Sequence, residues 1–174
     1  VGRYDEAIET YHEVLAVDPE NPQILLMCGH AAKIVGRIQE GIDYYRRCYM
    51  AKPEYGDAFW SLANLKTYSL SDEELAIARR SEAAEKTSVV DRIHLCFALG
   101  KALEDRGEHA SSFEYYERGN QLKLDQLAYD SNLITMEIDA QIDVCTAELF
   151  ETKSVSGHPA ADPIFIVGLP RSGS

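Results

Sequence analysis

The sequence predicts an all-α array of paired helices, and three observations carry that expectation. Residue types recur with a period of 34, small and aromatic residues keep fixed slots within the period, and Gly and Pro punctuate it at matching points. Adding 34 to Gly2, Tyr4, Ala7, Tyr11, Val14 and Pro19 gives Gly36, Ile38, Gly41, Tyr45, Cys48 and Pro53. In the same way Leu25, Cys28 and Gly29 map onto Phe59, Leu62 and Ala63. From Gly29, Gly36, Tyr45 and Cys48 an offset of 71, twice 34 plus 3, reaches Gly100, Gly107, Tyr116 and Gly119. The third repeat therefore holds about three extra residues.

Each element follows from this register. Arg3 to Val17 reads as the second helix of a unit whose first helix is missing, so the chain looks truncated at its start. Asn21 to Ile34 and Ile38 to Ala51 form one full unit; Pro19 and Pro53 stop the second helices because proline lacks the N–H that continues them. Glu54 to Thr67 and Asp72 to Lys86 form an irregular unit, with Ser71 and Glu74 spaced as a capping box. Val90 to Arg106 and Glu108 to Leu127 form another. Ser131 to Phe150 reads as one long amphipathic helix that caps the last repeat and covers its apolar side. The expected division is residues 1–128 for the repeats, 129–151 for the capping helix, 152–162 for a linker and 163–174 for the start of a further domain.

The 34-residue pattern resembles the tetratricopeptide repeat (TPR), a helix–turn–helix unit. Small Gly29, Ala63 and Gly100 let the first helix of a unit approach the second, with Ala7 and Gly41 doing so from the other side. Tyr11, Tyr45 and Tyr116 are expected to fill grooves between adjacent units, and Ser112 is a less apolar choice in the slot of Gly41. The resemblance implies that first helices line a concave, peptide-binding face. His30, His94, Trp60 and Asn64 lie on such helices and are the candidate contacts; Trp60 and Asn64 are one turn apart.

The end of the chain carries a different signal. Ile164 to Val167 reads as a buried strand, followed at once by Gly168-Leu169-Pro170-Arg171-Ser172-Gly173-Ser174. A strand followed by a Gly/Ser loop with one cation can build a nest of backbone N–H groups for a tetrahedral anion. Ser174 stands where a Walker A loop needs Lys, so this is not a nucleotide P-loop. The run resembles the 5′-phosphosulfate-binding loop of sulfotransferases, enzymes that use 3′-phosphoadenosine 5′-phosphosulfate (PAPS). The resemblance implies that Arg171, Ser172, Gly173 and Ser174 hold the donor's phosphosulfate, with Ser174 in place of the family's usual Thr. It extends the fold to the first strand and loop of a truncated α/β sulfotransferase domain. The whole enzyme would move a sulfuryl group to a hydroxyl or amine, whereas this fragment, without the rest of that domain, would be inactive. A non-enzymatic TPR adaptor is the alternative.

Composition narrows the partners. A net charge of −12 argues against nucleic acid, whose phosphates need a basic surface. No apolar run approaches the ~18–20 residues of a membrane span. Cys28, Cys48, Cys96 and Cys145 are read as small buried residues in a reducing, cytoplasmic setting. Cys28 and His30, like His94 and Cys96, are two positions apart and do not share a helix face, so no metal is expected. The acidic runs Asp5-Glu6…Glu9 and Asp72-Glu73-Glu74 read as solvated charges near helix starts, and the second Tyr of Tyr44-Tyr45 and Tyr115-Tyr116 as packing. The expected partner is a peptide or protein on the concave face, with self-association of the repeats as the other option.

Overall fold

The computed structural model describes residues 2–127 and 129–153. Among these residues all regular structure is helical: α1 Tyr4–Val17, α2 Pro22–Ile34, α3 Ile38–Ala51, α4 Gly56–Ala63, α5 Asp72–Ala83, α6 Val89–Asp105, α7 His109–Gln126, α8 Ser131–Val144 and α9 Ala147–Lys153. None of them is long and apolar enough to cross a membrane. The described residues fall into two compact units, α1–α7 and α8–α9. The expected strand Ile164 to Val167, the loop after it and most of the expected linker lie outside the described residues.

Turn chemistry sets the hairpins. Gly36 and Gly107 adopt φ of 83° and 76°, a conformation costly for a residue with a Cβ. Each closes its helix with the same two bonds, Gly36 N–H to Lys33 O (3.2 Å) with Arg37 N–H to Ala32 O (2.8 Å), and Gly107 N–H to Glu104 O (2.9 Å) with Glu108 N–H to Leu103 O (2.9 Å). Asn21, Ser71 and Ser88 cap α2, α5 and α6 by accepting from Ile24, Glu74 and Asp91 N–H groups. The capping box at Ser71 is complete, since Glu74 Oε2 accepts the Ser71 N–H at 2.9 Å.

The aromatic slots pack differently from expectation. Tyr45 and Tyr116 lie against the first helix of their own unit instead of between units. A Cβ on Gly29 would fall 2.7 Å from Tyr45 Cδ1, and one on Gly100 would fall 2.8 Å from Tyr116 Cδ1. The glycine is the seat for the ring. The slot of Gly41 explains Ser112: a Cβ on Gly41 would meet Gly29 O at 3.2 Å, while Ser112 Oγ donates to Gly100 O, the equivalent carbonyl, at 2.7 Å.

The third unit departs most. Its first helix ends at Ala63 rather than Thr67, and the chain from Asn64 turns inward to bury Leu70 and half-bury Tyr68. No Gly or Pro marks this end; tertiary burial outweighs helix propensity. α4 packs chiefly on α6, and α5 also packs on α6. Gly56 makes the α4–α6 approach feasible. Its N–H donates to Asp91 Oδ1 at 3.0 Å, and an added Cβ would run into the Asp91 carbonyl, its C atom only 2.8 Å away. The three extra residues lie not within the third repeat but at the start of α6: α5 still begins 34 residues after Ile38, α7 begins 71 after it, and α6 has 17 residues against 13 in α2.

In the second unit, the single helix expected over Ser131 to Phe150 is two helices. Thr146 interrupts it by starting a new one, its Oγ1 accepting the Leu149 N–H at 3.2 Å. Cys145, expected buried, is exposed at this break, whereas Cys28, Cys48 and Cys96 are buried.

The tightest contact yields a test. Gly56→Ala is expected to lower stability by about 1 kcal/mol or more, even though alanine is the better helix former, because the clash is with backbone that cannot rotate away. A thermal midpoint equal to or above the native one would refute this.

Candidate functional site

The repeat register places nine side chains in a regular pattern on the three first helices. On α2 these are Gln23, Leu26 and His30; adding 34 gives Asp57, Trp60 and Asn64 on and at the end of α4. Adding 71 gives His94, Phe97 and Lys101 on α6. Within each helix the members are three and four positions apart and so share one face. A row of Leu26, Trp60 and Phe97 lies between two polar rows. All four sequence candidates, His30, Trp60, Asn64 and His94, belong to this pattern; Phe97 and Lys101 were missed, although the offset of 71 points to both.

Several contacts fix the face. Trp60 and Phe97, both half-buried, meet with ring centroids 5.8 Å apart, and Phe97 meets Tyr116 at 6.2 Å. His30 Nδ1 bonds to Tyr45 Oη at 2.9 Å. Burial lowers the His30 pKa, partly offset by the charge of Asp57, and burial pushes the Tyr45 phenol up to about 12. Both groups are thus held neutral, a polar pair that hydrogen-bonds without adding charge. Asp57 also accepts from buried Ser61 at 3.2 Å. Asn64 is exposed as the C-cap of α4, and Lys101 pairs with Asp105. His94 differs: its Nδ1 is buried with no hydrogen-bond partner among the described residues. An unmatched buried ring nitrogen costs free energy.

A second cluster lies on the second helices and corrects the reading of Glu74 as a solvated surface charge. Glu74 is only 4% exposed. Its Oε1 accepts from Tyr68 Oη at 2.5 Å and Tyr49 Oη at 3.1 Å, and Arg46 Nε lies 3.4 Å away. Burial alone would raise its pKa, but hydrogen bonds from Tyr68, the Ser71 backbone and Tyr49 outweigh it, and the carboxyl sits below its ordinary value. Tyr68 in turn is pushed up to about 12, mainly by burial. The chemistry is that of a buried structural anchor. The remaining acids of the two runs do stand exposed, all but Glu9 in the first turn of a helix. Nor are the three buried thiols candidates for reaction: burial pushes Cys28 up to about 11, and Cys48 and Cys96 up to about 12.

The anion-loop candidates Arg171, Ser172, Gly173 and Ser174 lie outside the described residues.

A family comparison supports the repeat at the start of the chain. A family model described as TPR repeat matches residues 2–33, which contain α1 and most of α2. An uncharacterized protein of Aquifex aeolicus (strain VF5) is 25% identical over 169 residues, covering 97% of this chain but 22% of that protein. The chain thus spans less than a quarter of this relative's length. The crystal structure of MamA is similar with a TM-score of 0.38 and 17% identity, covering 74% of this chain and 93% of that chain.

The Glu74 cluster generates a pH prediction. Because its folded pKa lies below its ordinary one of about 4.3, ionised Glu74 contributes stability above that pH and loses it as pH falls through the depressed folded value. Glu74→Gln should cost about 1–3 kcal/mol in urea unfolding at pH 7, with the gap to the native protein narrowing in acid. A gap of equal size at pH 7 and pH 3 would mean that the charge of Glu74 is not what stabilises the site.

Proposed function

We propose that this region is a protein-interaction module of TPR type, which holds a peptide segment across the face of α2, α4 and α6. The observation that supports it best is the register itself. Offsets of 34 and 71 bring an apolar row with two half-buried aromatic rings and two flanking polar rows onto the same face of successive helices. Stacked repeats that offer one row each suit an extended ligand that runs across them. Trp60 and Phe97 would supply apolar anchors. The exposed Asn64 would bond a peptide group, and Lys101, if released from Asp105, would meet a carboxylate.

A second reading rests on the terminal motif. We infer that Arg171-Ser172-Gly173-Ser174 forms the phosphosulfate loop of a PAPS-dependent sulfotransferase, for which the repeats recruit the acceptor or a second subunit. Arg171 offers a planar fork to sulfate or phosphate oxygens, and Gly173 allows close backbone approach. The sequence motif is its support.

The two readings separate experimentally. Peptides selected from a random display library against the native chain should bind about tenfold or more weakly to a Trp60→Ala/Lys101→Glu double variant of unchanged thermal midpoint. Equal binding to both would rule out this face. For the enzyme reading, calorimetric titration of 3′-phosphoadenosine 5′-phosphate into the full-length protein should give micromolar binding that disappears in Arg171→Ala. Absence of binding would leave the interaction module alone.

A further inference from the structure

The second helices carry a groove that the peptide face does not use. α3 and α5 run side by side in the same direction: Arg46 pairs with Glu74 at one end, and Glu54 of the chain after α3 pairs with Lys86 of the chain after α5 at the other. They do not close on each other, because α5 packs on α6. The space between them, about 690 Å³, is lined by Tyr49, Met50 and Pro53 on one side and Ile77 and Ala84 on the other. Met50 is 69% exposed, unusual for so apolar a side chain.

Charge gives the groove a direction. Glu73 and Arg80 line it at positions seven residues apart on α5, about 10 Å along the axis, with Ile77 between them on the same face. Both are exposed, and neither has an ion-pair partner among the described residues. The other charges at the groove are already matched, Arg46 with Glu74 and Glu54 with Lys86. Among the described residues, then, the apolar side chains of the groove have beside them an anion and a cation without ion-pair partners, spaced along α5.

We propose that this groove docks an amphipathic helix of a partner protein. That helix carries a basic and an acidic residue about seven positions apart, with apolar residues between them on the same face. The walls are helices whose backbone groups are already bonded, so an extended peptide would find no edge to pair with. A third helix can instead seat its side-chain ridge between the two it meets. The basic residue meets Glu73, the acidic residue meets Arg80, and the apolar residues cover Met50 and Ile77.

Three designed helical peptides test the proposal at ~0.15 M salt. They share the same leucines and carry Lys and Glu, Lys and Lys, or Glu and Glu at the two flanking positions. The native chain should bind the Lys/Glu peptide best. Arg80→Glu, which makes both ends acidic, should shift the preference to Lys/Lys, and Glu73→Lys should shift it to Glu/Glu, each by about tenfold. Met50→Glu, at an exposed position that folding does not need, should weaken all three. Trp60→Ala should leave all three unchanged, which separates this groove from the peptide face. Failure of the native chain to bind the Lys/Glu peptide would overturn the proposal. So would an order of preference that Arg80→Glu and Glu73→Lys leave unchanged, or undiminished binding to Met50→Glu.

Discussion

The structure of the first unit depends on the seat that a glycine makes for a tyrosine. Gly29 receives Tyr45 and Gly100 receives Tyr116, in each case with the ring where a Cβ would otherwise be. This contact sets how close the two helices of a hairpin can come, and the interior is packed densely enough that a single added carbon is felt. The same approach brings Gly41 onto the Gly29 carbonyl and Ser112 onto the Gly100 carbonyl. It also places the Tyr45 hydroxyl beside His30, so a packing contact becomes part of the candidate ligand face.

In the third repeat the seat is lost, and the helices rearrange. Ala63 replaces the glycine, α4 is eight residues long, and its close approach moves to Gly56 against the backbone of Asp91 in α6. Asp91 then serves two helices at once, taking the Gly56 N–H while its own N–H is capped by Ser88. Carboxylates are favourable beside the positive end of a helix, and here one carboxylate stands beside two such ends. α5 is secured differently, through buried Glu74 and its tyrosine donors, and the space between α3 and α5 stays open. The irregular repeat is thus the origin of the groove.

Much of this was legible in the residues. Offsets of 34 and 71 located the helices of the regular units to within one residue at most ends, because turn glycines and caps act locally. The capping box at Ser71 and Glu74 was readable for the same reason. The early end of α4, the burial of Glu74 and the break at Thr146 were not. Tyr68 and Glu74 are six residues apart, and nothing local says that Tyr49 and Arg46 will meet them.

The sequence by itself determined the repeat, its period, the turn positions and which residues share one face of the first helices. These arise from φ preferences, missing donors and helical spacing, which act over a few residues. Only the tertiary structure decided that the tyrosines seat on glycines of their own unit, that α4 pairs with α6, and that a cleft opens between α3 and α5. Those outcomes turn on which surfaces exclude each other's atoms across 16 to 35 residues of chain, from Gly29 and Tyr45 to Gly56 and Asp91, and no local preference encodes such contacts.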